Sequence, residues 1–136
     1  MGPVESVSAG GDLAHLTVAG QTFNVSASAA QDFAIGDYVV VASTGADSPS
    51  FAYHIGLPYV PGVSAVRIKG VIRSVDVALG RLSVGNITLD YTPQLAVFPS
   101  LTPAAGNIVE AIGVQPAPKG IIVADTCAAG VLLERR

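Results

Sequence analysis

The sequence predicts an all-β chain folded as two tandem five-stranded small barrels related by an internal repeat, and three observations carry that prediction. Gly and Pro punctuate the 136 residues roughly every ten positions, and no apolar face of helical period runs beyond about two turns. The stretch Phe33-Ala34-Ile35-Gly36-Asp37-Tyr38-Val39-Val40-Val41 sets a tight Gly-Asp turn directly against strand-favouring residues, β-branched Val dominating. That turn and strand return downstream, where Gly106-Asn107 stands for Gly36-Asp37 and Ile108-Val109 for Tyr38-Val39. A turn and strand occurring twice point to a whole repeated unit.

Taken in order, residues 2–8 alternate Val4 and Val7 with polar neighbours and predict a first strand, closed by the turn Ala9-Gly10-Gly11-Asp12. Residues 13–19 form the second, with Leu16 and Val18 alternating against His15 and Thr17. After Gly20-Gln21 comes the third, with Phe23 and Val25 on one face, and residues 27–32 make a small-residue connection able to form one helical turn. Residues 38–43 are the fourth strand, 44–50 a loop, and Phe51-Ala52-Tyr53-His54-Ile55 the fifth, with Phe51, Tyr53 and Ile55 together on the core side.

Residues 57–68 are expected to be an apolar Pro/Gly linker that packs against something, because a floppy tether would be Gly/Ser-rich. The unit then restarts. Gly70-Val71-Ile72-Arg73-Ser74-Val75 matches Gly2-Pro3-Val4-Glu5-Ser6-Val7, Leu82-Ser83-Val84 matches Leu16-Thr17-Val18, and Thr88-Leu89-Asp90-Tyr91 matches Thr22-Phe23-Asn24-Val25. Ile121-Ile122-Val123-Ala124 supplies the fifth strand again. The expected organisation is a first barrel over 1–56, the linker over 57–68, and a second barrel with a C-terminal extension over 69–136. Five short strands are too few for a free-standing sandwich and suit a strongly bent barrel of the OB or SH3-like kind, which removes exposed edges by closing. The expected interior is Val4, Val7, Leu16, Val18, Phe23, Val25, Ile35, Val39 and Val41 in the first unit, and Val71, Val75, Leu82, Val84, Leu89, Ile108 and Ile122 in the second.

The order Gly-x-Val-x-Ser-Val, glycine turn, Leu-Thr-Val, Thr-x-x-Val, then Ile-Gly-Asp-x-Val-x-Val resembles the small barrel repeats of the DUF5666 type, over residues 2–55 and 69–124. That resemblance implies OB-like domains, often in tandem, in exported bacterial proteins of unassigned function. It carries no functional residues, and Asn107 and Glu110 depart from its pattern.

Half of the residues are hydrophobic and only 12% are charged. An average soluble domain is about a quarter charged, so the surface is either small and polar or covered by other copies. Net charge is −3 and no basic run exceeds Arg135-Arg136, so no nucleic-acid partner is expected. No apolar run reaches the length of a membrane span, and the start lacks the pattern of a signal peptide. The composition, rich in Ala, Gly, Ser, Thr and Val, points to an extracellular or cell-surface location with the leader absent from this sequence, the cytoplasm being the alternative.

Catalytic and metal chemistry find little to work with. His15 and His54 are expected to face solvent, and with Cys127 they make neither a four-ligand zinc set nor a supported Cys/His pair. Cys127 reads as a small buried hydrophobe. Asp12, Asp32, Asp37, Asp47 and Asp90 lie near turns, where Asp bonds its own backbone. No cofactor, no metal and no enzymatic activity are expected. The expected function is structural: self-association through charge-poor β surfaces, with assembly into an extracellular filament, through Leu57, Tyr59, Val60, Val63 and Val66. The alternative is a binding module that offers a barrel face to an oligosaccharide, a peptide or a single nucleic-acid strand.

Overall fold

The computed structural model of the chain describes residues 1–42, 49–96, 98–124 and 131–134. It is all-β and divides into two compact units, Met1–Val60 and Pro61–Arg136. Cys127 and Asp47 lie outside the described residues. No helix among the described residues is long and apolar enough to cross a membrane.

The first unit runs β1 (Gly2–Gly10), β2 (Leu13–Val18), β3 (Gln21–Ser26), a single helical turn α1 (Ala27–Ala30), β4 (Tyr38–Ala42) and β5 (Phe51–His54). Its strands form one five-stranded antiparallel sheet in the order β3-β2-β1-β4-β5. Ser26 ends β3 and starts α1, its Oγ accepting a hydrogen bond from the Ala29 amide at 3.2 Å. The β1–β2 ladder slips by one residue between Val4 and Ser6. This bulge bends the strand and brings Val4 and Val7, three apart, towards one side. Gly36 makes the turn before β4 in the left-handed region that favours glycine, with φ of 95°. Its amide donates to the Val4 carbonyl at 2.9 Å, and the Asp37 carbonyl accepts from the Val4 amide at 2.8 Å. The turn is thereby tied to β1.

The second unit runs β6 (Ala65–Asp76), β7 (Arg81–Val84), β8 (Ile87–Asp90), the turn α2 (Thr92–Leu95), β9 (Ile108–Val114), β10 (Ile122–Ala124) and β11 (Val131–Glu134). Here the sheet closes. The first half of β6 pairs with β9 and its second half with β7; β7 pairs with β8. Strand β10 then joins β9 antiparallel and β8 parallel, completing a five-stranded barrel, while β11 adds to β9 outside the ring. The β6–β7 ladder also slips once, between Ile72 and Ser74. Gly106, with φ of 91°, donates to the Ile72 carbonyl at 2.9 Å, as Gly36 does to Val4.

One closed barrel and one separate sheet replace the two closed barrels expected, and the pairing shows why. Strand β5 lies on β4 through Val39–His54, Val40–Tyr53 and Val41–Ala52, the place that β11 takes on β9 through Val109–Leu133, Glu110–Leu132 and Ala111–Val131. No described strand of the first unit does what β10 does. Among the described residues, the Ser50 amide reaches β3 from that side, donating to the Asn24 carbonyl at 2.7 Å.

Val4, Leu16, Val18, Val25 and Val39 are buried in the first unit; Leu82, Val84, Leu89 and Ile122 are buried in the second, as expected. Others differ. Ile35 precedes the turn rather than entering β4 and is 74% exposed. In β6 the inward residues are Val66, Ile68 and Ile72, which puts Val71 on the outside, and in β9 Val109 points inward while Ile108 is half-buried. A one-residue change of phase exchanges the two faces of a strand. Val7, Phe23, Val41 and Val75 are half-buried. The expected linker over 57–68 is also revised: the units divide after Val60, and residues 65–68 are the start of β6, paired with residues 111–114 of β9.

Candidate functional site

Cross-strand register places an apolar surface on the outside of the β4–β5 hairpin. Val40 stands opposite Tyr53 and Ala42 opposite Phe51, and the Ile55 amide donates to the Tyr38 carbonyl at 3.0 Å. Because side chains alternate along a strand, Tyr38, Val40, Ala42, Phe51, Tyr53 and Ile55 share one face while Val39 points into the core. Phe51 is 54% exposed, Tyr53 59% and Val40 38%. This corrects the expected inward placement of Phe51 and Tyr53. Alternation correctly put them on one face together, but it does not say which face of a two-sided strand meets the core.

Two aromatic pairs frame the hairpin. Tyr59 meets Tyr38 edge-on, with ring centroids 5.6 Å apart and planes at 61°. Phe33 stacks on His54 at 4.6 Å and 24°. His54 Nε2 lies 2.9 Å from the Asp32 carbonyl, and since a carbonyl only accepts, Nε2 carries the hydrogen. Nδ1 then faces the Asp37 carboxylate at 3.9 Å, while Asp37 Oδ2 accepts from the Ala34 amide at 2.9 Å. Asp37 therefore has the local turn role that its position suggests.

Burial raises the Tyr38 hydroxyl above its ordinary pKa of 10.0. Tyr59 is raised as well, first by burial and then by the charge that Tyr38 would carry and by Glu5. The fold favours the neutral phenols, so their stabilisation is complete below pH 10 and is lost as pH rises through the raised folded-state values. Tyr91 in the second unit is raised too, by burial and then by Asp76. An alkaline spectrophotometric titration is therefore expected to find three tyrosines ionising later than free tyrosine, with secondary structure falling in that range. Ionisation of all four tyrosines at the ordinary value, with the fold intact, contradicts this packing.

Of the residues proposed for self-association, Leu57 is 67% exposed, Val60 is exposed and Tyr59 is half-buried against Tyr38, all in the first unit. Val63, in the second unit, is 74% exposed. Val66 is fully buried as an inward residue of β6 and offers no surface. Phe51, Tyr53 and Val40 were missed for the reason given above. The available signal was the absence of Asp, Glu, Lys and Arg from Phe51-Ala52-Tyr53-His54-Ile55, a strand next to a loop and a Pro/Gly break. His15 is exposed, and among the described residues no three of His, Cys, Asp and Glu gather as a metal site would need. Comparison of the chain with protein-family models, with curated proteins and with solved structures finds no match to any of them.

Proposed function

We propose that this chain is a non-enzymatic assembly protein that associates with its own copies through charge-poor β surfaces, in a filament at the cell surface or outside the cell. The observation that carries this reading is the outward face of β4 and β5, where Val40, Phe51 and Tyr53 lie exposed on adjacent strands. A contiguous exposed apolar patch on a sheet is a common mark of a protein interface, and aromatic residues concentrate binding energy there. The low overall charge supports the same reading, since little charged surface keeps copies apart.

The units are, on this reading, two copies of one OB-like repeat of the DUF5666 type. In its favour are the order β6-β7-β8-β10-β9 with β8 and β10 parallel, the bulges at Val4/Ser6 and Ile72/Ser74, and the Gly36 and Gly106 turns.

The test is the double variant Phe51→Ser/Tyr53→Ser, compared with the wild type by sedimentation velocity over a concentration series. Loss of two interface aromatics is expected to weaken association by roughly 10- to 100-fold while the melting temperature holds, because both side chains are already exposed. A wild type that stays monomeric at high concentration defeats the assembly reading. Thermal shifts with an oligosaccharide, a peptide or an oligonucleotide, lost in the same variant, would bring forward the binding-module reading that these exposed aromatics also favour.

A further inference from the structure

The two units differ sharply in charge. All seven Lys and Arg residues fall in Pro61–Arg136, and Met1–Val60 contains none. The ten acidic residues divide evenly, with Glu5, Asp12, Asp32, Asp37 and Asp47 in the first unit. The first unit is thus acidic without any compensating cation, and the second is net basic.

The basic residues of the second unit are partly ordered on one strand. Arg67, Lys69, Val71 and Arg73 occupy alternate positions of β6 and all are exposed, while Val66, Ile68 and Ile72 point inward. Arg67 is ion-paired with Glu110, and Arg73 donates to the Gly85 carbonyl at 2.9 Å, so the stripe is held in place with an apolar residue between its cations. In the first unit, exposed Asp32, through its backbone carbonyl, and half-buried Asp37, through its carboxylate, stand at His54 of the edge strand β5, on the side of that strand opposite Phe51 and Tyr53.

We propose that copies associate head to tail, the basic β6 stripe of one docking on the acidic first unit of the next, at the side of the β4–β5 hairpin where Asp32, Asp37 and His54 lie. This rests on the self-association proposed above and adds a pair of charged surfaces to its apolar one. The second copy is the partner that the charge distribution favours: one chain carries both an acidic unit without Lys or Arg and an exposed strand bearing Arg67, Lys69 and Arg73. The acidic sides of two first units meeting about a two-fold axis would instead set acid against acid with no Lys or Arg to offset it. A heterologous contact of this kind repeats, closing into a ring or running on as a fibre according to the rotation between copies.

The experiment uses the full chain in three forms: wild type, Asp32→Lys, and Lys69→Glu/Arg73→Glu. Each variant alone is expected to associate at least tenfold more weakly by light scattering, and raising the salt concentration should weaken the wild type as well. Mixed one to one, the two variants should recover most of the wild-type assembly, because each reversed surface then meets a reversed partner. Melting curves confirm that each variant is folded, and recovery on mixing reports on pairing even if one variant is somewhat destabilised. Undiminished association of Lys69→Glu/Arg73→Glu, or no recovery in the mixture, overturns the head-to-tail contact but leaves self-association standing. A wild type that is monomeric at every concentration and salt level overturns both.

Discussion

The variant Gly113→Ala is expected to open the second barrel. Gly113 lies in β9 where that strand is sandwiched, paired with Val66 of β6 on one side and with Ala124 of β10 on the other. A methyl group built there would clash with the Val123 carbonyl oxygen and would come within 2.7 Å of its carbon and 3.1 Å of Ala124 Cα. Those atoms are backbone, so no rotamer change relieves the clash; β10 has to move. Strand β10 is also the one that pairs with Leu89 and Asp90 of β8, so its displacement breaks the ring at the closing strand. Overpacking of this kind typically costs 1–3 kcal/mol, and loss of the ladder should put this case at the upper end, about 3 kcal/mol. With no Trp in the chain, hydrogen exchange resolved by peptide is the direct measure. Amides of residues 122–124 and 87–90 should lose protection in the variant, while those of β1 and β2 keep it. Unchanged protection in β10 would show that Gly113 is not at a closing contact.

The variant Val39→Asp should abolish folding of the first unit. Val39 is completely buried and lies between Gly2 of β1 and His54 of β5, so it joins the two halves of that sheet. A carboxylate there is removed from water, and the unit contains no Lys or Arg to pair with it. An unpaired buried charge destabilises by more than about 4 kcal/mol, a large share of the total stability of a small unit. Burial raises the pKa of the introduced carboxyl above its unfolded value. Whatever folded state survives is therefore most stable below that unfolded value, near 3.9, and is lost as the pH rises. The first unit should thus lose exchange protection at neutral pH, regain some on acidification, and leave the amides of Val66 and Ile68 protected in the second. Cooperative melting of both units at neutral pH would refute the placement of Val39.

How much of this was legible beforehand depends on the range of each interaction. Turns and strands are local, and the Gly36-Asp37 and Gly106-Asn107 turns fall where their residues place them, since positive φ at Gly is a property of the residue. The strands follow from alternation, and so does most of the buried set: Val4, Leu16, Val18, Val25, Leu82, Val84 and Leu89. Val71 and Ile108 could not be placed this way, because each has an equally apolar neighbour, Ile72 and Val109, that could go inside in its stead. The choice between them is made by the partner strand. Each ladder fixes the phase of all its residues at once, and one slip would turn a whole strand over.

The candidate surface was the least legible part. Tyr59 drew attention because it sits between prolines, yet it is Phe51, Tyr53 and Val40 that form the exposed face, and their pattern resembles a core strand's. What the chain determined by itself is its all-β character, its turns and most of its interior, because backbone preferences and apolar periodicity act over a few residues. Only the tertiary structure decided that β10 closes one unit, that β5 lies on β4 where β11 lies on β9, and that the apolar side of β5 is left outside. Those outcomes depend on which distant strand edges find each other, and backbone hydrogen bonds pair edges with little regard to the side chains they carry.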